Sequence, residues 1–200
     1  MNYFYAVPFG KGQRWGKAGA LAYVLGGWRL GGILSYRKGT PFHPQVNVRV
    51  PGFLFVGNRP NLRPGASNNP THGVSAGCDG LAAGQKLGVP DHYFDPCAFS
   101  PPEPGTLGNA GRNTIIGPSA FTTDVSLQKD FVLSRLGAEK RLQFRAEIFN
   151  LPNHANFGNT ARGSSVVFTG FPPRPGPTAG SVIRTATTSR QIQLALRLSF

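Results

Sequence analysis

The last ten residues of the chain alternate without a break. Every even position is apolar: Ile192, Leu194, Leu196, Leu198 and Phe200. The odd positions hold Gln191, Gln193, Ala195, Arg197 and Ser199. Successive side chains of a strand point to opposite faces, so this period of two predicts a strand with one wholly apolar face. About ten residues is also the span of a tilted strand crossing a membrane.

The same pattern recurs upstream. In 141–150, Leu142, Phe144, Ala146 and Ile148 share one face, and Gln143, Arg145 and Glu147 share the other. In 123–133, Val125, Leu127, Phe131 and Leu133 alternate with Asp124, Ser126, Gln128 and Asp130. Lys129 falls on the apolar face of that segment. A lysine near a strand end is expected to reach the interface along its own stem. In 28–37, Trp28, Leu30, Leu34 and Tyr36 share a face, with aromatics near both ends as in interfacial girdles. Residues 1–8 read as the end of a fifth strand.

The connections alternate in length. Residues 9–27 and 134–140 are short or moderate, whereas 38–119 and 152–188 are long and rich in Pro, Gly and Asn. Read as structureless loops, the long ones argue against a compact soluble domain. Membrane barrels combine short periplasmic turns with long extracellular loops. If Phe200 ends at the periplasm, 38–119 and 152–188 both fall outside. The expected fold class is therefore all-β: about five antiparallel strands of a transmembrane β-barrel with long extracellular loops. Five strands cannot close a barrel when the smallest bacterial ones have about eight, and an open edge in lipid leaves backbone groups unpaired. Residues 1–200 are accordingly expected to be the C-terminal part of a larger barrel whose earlier strands precede Met1. The opening Met1-Asn2-Tyr3-Phe4 shows neither the basic n-region nor the cleavage site of a signal peptide, which fits that expectation.

Composition sharpens the picture. Among 200 residues there are 27 Gly and 18 Pro, and only 14% are charged, against roughly 25% in soluble domains. The formal net charge of +13 calls for an anionic partner. Nucleic-acid binders concentrate Lys and Arg in a patch or helix. Here the basic residues are scattered, with no run longer than two. Nucleic acid is not expected as a partner; outer-membrane lipid, lipopolysaccharide phosphates or an anionic solute are. No Ser/His/Asp arrangement, paired-carboxylate site, phosphate loop or zinc helix is found, so no enzyme and no cofactor are expected.

A series of motifs runs along the chain. Gly27-Trp28-Arg29-Leu30-Gly31-Gly32-Ile33 runs into Gly39-Thr40-Pro41-Phe42, followed by Asn58-Arg59-Pro60-Asn61-Leu62. Next come Tyr93-Phe94-Asp95-Pro96, Ala98-Phe99, Gly108-Asn109-Ala110-Gly111-Arg112-Asn113 and Gly117-Pro118. Asp124-Val125-Ser126-Leu127 with Lys129, Phe144 through Asn150, Asn153-His154, Asn156-Phe157, Arg190 through Gln193 and Phe200 complete the series. In the order and spacing of these motifs the chain resembles the C-terminal barrel portion of TonB-dependent outer-membrane receptors of the Oar-like group. What the resemblance implies is a 22-stranded barrel, a plug in the lumen, contact with TonB through an N-terminal region, and energy-coupled movement of a large solute. Plug and signal peptide would lie outside these residues. Ile192, Leu194, Leu196, Leu198 and Phe200 resemble the terminal signal read by the barrel assembly machinery, through edge pairing. Two other readings stand beside the transporter. One is a non-transporting adhesin or structural barrel. The other is a soluble basic β-protein that binds nucleic acid.

Individual residues carry further expectations. Cys78 and Cys97 are the only cysteines, and an even count in an oxidising compartment favours a disulfide. A metal site of His72, Cys78, His92 and Cys97 is the alternative, although its spacing matches no compact zinc pattern. Gln143, Arg145 and Glu147 are lumen-facing candidates, with a structural ion pair as the simpler role. Arg112 and Asn113 form either an anion-binding nest or a tight turn that needs Gly. His154, between Asn153 and Asn156, belongs to a turn.

Overall fold

The computed structural model describes residues 1–10, 14–15, 19–47, 58–133, 140–158, 165–170 and 172–200. Among these the elements follow in the order β1 (Asn2–Ala6), α1 (Gly19–Leu25), β2 (Trp28–Arg37), β3 (Pro41–Phe42), β4 (Gln45–Asn47), β5 (Asn61–Leu62), β6 (Phe99–Ser100), β7 (Ile115–Ile116), β8 (Ala120–Val132), β9 (Arg141–Phe149), β10 (Val166–Thr169), β11 (Arg174–Pro175) and β12 (Gln191–Ser199). They divide into two compact units.

The first unit holds Met1–Tyr36, Phe121–Ala155 and Thr188–Phe200. Its strands form one sheet in the order β1-β2-β8-β9-β12. Register sorts the side chains. Val125 lies opposite Ile148, Leu127 opposite Ala146 and Phe131 opposite Leu142, while Ser126 meets Glu147, Gln128 meets Arg145 and Asp130 meets Gln143. On β12, Leu194, Leu196 and Leu198 continue the apolar row opposite Ala146, Phe144 and Leu142. A one-residue slip would exchange the two faces, so the pattern fixes the register. β9 stops at Phe149 because Asn150 turns left-handed, with φ 51°. The predicted turn at 134–140 lies outside the described residues except for Lys140, whose carbonyl accepts from Leu133 N at 2.9 Å and closes the hairpin.

The apolar row is not covered by the rest of the chain. Leu194 and Leu196 are 70% and 71% exposed, Leu198 55% and Phe200 95%. A soluble fold would bury such a row, and unpartnered apolar rows of this extent mark a surface that meets another phase or molecule. No helix among the described residues is long and apolar enough to cross a membrane.

The second unit holds Arg37–Ala120 and Asn156–Thr187. Here the structure corrects the reading of 38–119 and 152–188 as structureless loops. Their described residues fold together around a buried core of Phe42, Val46, Phe94, Phe99, Ile115, Val167 and Phe168. The ladders are short: β3 with β7, β5 with β6, and β4 parallel to β10, which also pairs β11. Side chains supply what such ladders cannot. Asn58 Oδ1 accepts from Arg59 N and Gly108 N, and its amide donates to Thr106 O. Asn61 Oδ1 accepts from Asn109 N, while Asn109 Oδ1 accepts from Leu62 N, a reciprocal latch. Buried backbone groups need partners, and asparagines provide them where regular pairing is too short. Gly108 is required here, because a Cβ would strike the carbonyl oxygens of Arg59 and Pro60.

Candidate functional site

Two features of the chain could carry function, one in each unit. The first is the polar face of the five-stranded sheet. Strand alternation puts Arg29, Asp130, Gln143, Arg145 and Glu147 on it. Arg29 pairs with Asp130, and Gln143 Nε2 donates to Asp130 Oδ1 at 2.9 Å. Arg145 pairs with Glu147 two residues along the same strand, at 2.7 Å. Both pairs are partly exposed, so their value lies in fixing side-chain geometry; surface pairs contribute only about 0–1 kcal/mol. The three lumen-facing candidates thus lie on one face, and two of them form the ion pair that was the simpler expectation.

Asp130 and Arg29 were not singled out as site residues. The signal was available in the scarcity of acids, eight in the chain. Each acid of the long strands has a partner: Asp124 Oδ1 accepts from Asn150 N at 2.9 Å, beside the two ion pairs.

At the end of β9 a polar turn is built on Asn150. Its amide donates to His154 O and Thr188 O, both at 3.0 Å, and its Oδ1 accepts from His154 N at 3.1 Å. Asn153 Oδ1 accepts from Arg190 N at 2.9 Å. His154 contributes its backbone N–H and carbonyl to this turn.

Lys129 lies on the apolar face and is buried, 2% exposed. Its amine donates to Tyr23 O and Val24 O of α1 and lies over the rings of Tyr23, Trp28 and Phe131. The connection 9–27, expected to be of short or moderate length, contains the helix that receives it. Unpaired carbonyls at a helix C-terminus attract a cation, which accounts for the contact.

The second feature is the disulfide-linked core of the other unit. Cys78 and Cys97 are joined, with Cα atoms 5.6 Å apart. Buried Asp95 sets this up: one carboxylate oxygen accepts from Cys97 N at 3.0 Å, the other from Ala76 N at 2.8 Å. The carboxylate therefore holds the backbone near both cysteines. Closing a loop of this length contributes roughly 3 kcal/mol. With both sulfurs bonded to each other, the four-ligand alternative with His72 and His92 loses its thiolates. Among the described residues no three His, Cys, Asp or Glu side chains group to hold a metal. Asn113 has φ 53° and its Oδ1 lies 3.3 Å from His43 Nδ1, so the Gly-rich stretch with Arg112 makes a tight left-handed turn.

Tyr93 is half-buried, and its hydroxyl donates to Ile116 O at 2.8 Å. Burial raises its pKa above the usual value of about 10. A raised folded pKa gives stability that is complete below about pH 10 and lost as pH climbs through the folded value, because the unfolded phenol releases its proton first. Tyr93→Phe is expected to lose about 1 kcal/mol near neutral pH, from the hydrogen bond. It should then lose less than the parent between about pH 9 and 11. Pulse digestion of urea-equilibrated protein by an alkaline protease measures this; parallel alkaline losses in both proteins would refute the assignment.

Compared with known proteins, residues 1–193 match the model of a family described as outer membrane beta barrel domain. No curated protein and no solved structure matches the chain.

Proposed function

The chain belongs to the outer membrane beta barrel domain family, and from that premise we propose that it forms part of the wall of a TonB-dependent transporter for a large solute. Its place is the bacterial outer membrane, and its fold is all-β. The observation that carries the reading is the two-faced sheet: an uncovered apolar row on one side and a cross-linked polar row on the other. Turned outward, the apolar row meets lipid; turned inward, Arg29, Asp130, Gln143, Arg145 and Glu147 line an aqueous lumen. The motif order shared with Oar-like receptors supports the finer assignment to that group.

Topology constrains how the barrel closes. β1 and β12 each have one neighbour in the sheet. β1 with β2, β8 with β9, and β9 with β12 are antiparallel. β2 and β8 run oppositely too, since Arg29 meets Asp130 while a Cβ on Gly32 would strike Asp124 O. Five alternating strands leave the two edges running in the same direction. Edge-to-edge copies of this sheet would therefore meet in parallel, or else insert upside down. Bacterial single-chain barrels are antiparallel with an even strand count. An odd number of further strands must close this one, and we assign them, with a plug, to the same receptor polypeptide. The barrel assembly machinery would read β12 and Phe200, and lipopolysaccharide would surround the outer rim.

The test is binding of the purified periplasmic domain of TonB to the full-length protein in detergent. Saturable binding is expected. Absence of binding would end the transport reading and leave a surface barrel that displays its folded second unit.

A further inference from the structure

Helix α1 lies at the end of the sheet where the short connections are. Lys129, Phe131 and Trp28 stand on the apolar face there, and Trp28 packs edge-on against Phe144, with ring centroids 6.0 Å apart. α1 covers that corner. The rings of Tyr23 and Phe131 are 6.0 Å apart, Trp28 Nε1 donates to Val24 O at 3.0 Å, and Lys129 Nζ donates to Val24 O at 2.6 Å as well as to Tyr23 O. The helix then ends on Gly27, with φ 75°, the left-handed position that stops helices. Its last carbonyls therefore point at a strand lysine instead of at water.

α1 also carries apolar side chains that the sheet leaves exposed. Tyr23 and Val24 are both 58% exposed and Leu25 44%. Through the contact of Tyr23 with Phe131 the helix adjoins the apolar face of the sheet. A carbonyl without a partner is costly where hydrocarbon replaces water, so a helix ending at the membrane boundary gains from a protein donor. A lysine is costly on a lipid-facing strand unless something covers it. Each feature makes sense of the other.

We propose that α1 is an interfacial anchor, which lies against the outer wall of the barrel at the periplasmic boundary and inserts Tyr23, Val24 and Leu25 among phospholipid headgroups and upper acyl chains. Lys129 is its positioning residue. The assignment rests on the outer-membrane placement and is independent of transport. Interfacial helices sink about 5–10 Å into this zone, which sets the depth to be measured.

The experiment uses full-length protein carrying Val24→Cys labelled with an environment-sensitive fluorophore, reconstituted in phosphatidylcholine–phosphatidylglycerol vesicles. Spin-labelled phospholipids carry the quencher either near the headgroup or near the chain end. Blue-shifted emission is expected, quenched roughly twofold more by the shallow label than by the deep one. A probe at Leu196→Cys, at mid-strand, should show the reverse order. Lys129→Met should release α1, shift the emission towards that in water and remove most of the shallow quenching, while Lys129→Arg should keep it. Water-like emission from position 24, unquenched by either lipid, would overturn the proposal even if Lys129→Met fails to fold. So would unchanged quenching in a folded Lys129→Met protein.

Discussion

Phe94→Ala is expected to open the second unit while the five-stranded sheet stays folded. Phe94 is fully buried and meets Phe42 and Phe99 edge-on, with centroids 5.7 and 6.5 Å away. It also ties the two insertions together, since Tyr93 N and Phe94 N both donate to Gly180 O. Removing a buried phenylalanine ring costs about 3–5 kcal/mol, from lost transfer energy and the cavity left behind. The loss falls on a small core whose ladders are two to four residues long, so little else can absorb it. Native-state proteolysis of the full-length protein should show cleavage within 58–120 accelerated roughly 100- to 5,000-fold, as expected when digestion follows the open population. Leu107→Ala, at a side chain 66% exposed, serves as the control and should change stability by less than about 0.5 kcal/mol. Equal digestion of the Phe94→Ala protein and its parent would mean that this core does not hold the unit together.

The contrast between the two units shows what sequence patterns can carry. Long strands state their structure locally: one side chain in two must be apolar over about nine residues, and 141–150 or 191–200 satisfies that without reference to anything distant. The polar candidates were legible for the same reason, because Gln143, Arg145 and Glu147 are the alternate positions of one such strand. The second unit has no comparable signal. Its strands are too short for a period, and its backbone is satisfied by Asn58, Asn61 and Asn109 reaching across about 47–50 residues. In a linear reading those residues, with their Gly and Pro neighbours, look like turn formers. Asp95 is similarly silent: nothing in its neighbourhood tells that its carboxylate reaches Ala76 N. Lys129 was visible as an exception to the alternation. The pattern could not supply the reason, since the carbonyls that receive its amine lie more than 100 residues earlier. α1 was missed because its seven residues follow a Gly-rich stretch and are too few for a helical period.

The double variant Leu196→Arg/Arg197→Leu keeps the composition and moves one guanidinium by a single residue. In the native strand Arg197 lies opposite Gln143 on the polar face, and Leu196 lies opposite Phe144 on the apolar one. The exchange sends the cation to the other side of the sheet near the middle of a nine-residue strand. If that side faces hydrocarbon, Arg near the midplane costs about 2–4 kcal/mol, and the leucine placed among polar groups recovers none of it. Folding of the full-length protein into phospholipid vesicles, followed by urea titration, should report that loss. In cells the folded, heat-modifiable fraction in the outer membrane should fall in step. A soluble β-sandwich would also object to the swap, so the solvent decides between the two readings. The loss should appear in vesicles and shrink in a short-chain detergent, where water reaches the strand more easily. If the exchanged protein folds in vesicles as well as its parent, then Ile192, Leu194, Leu196 and Leu198 do not face lipid, and the polar row built on Arg145 and Glu147 is not the wall of a lumen.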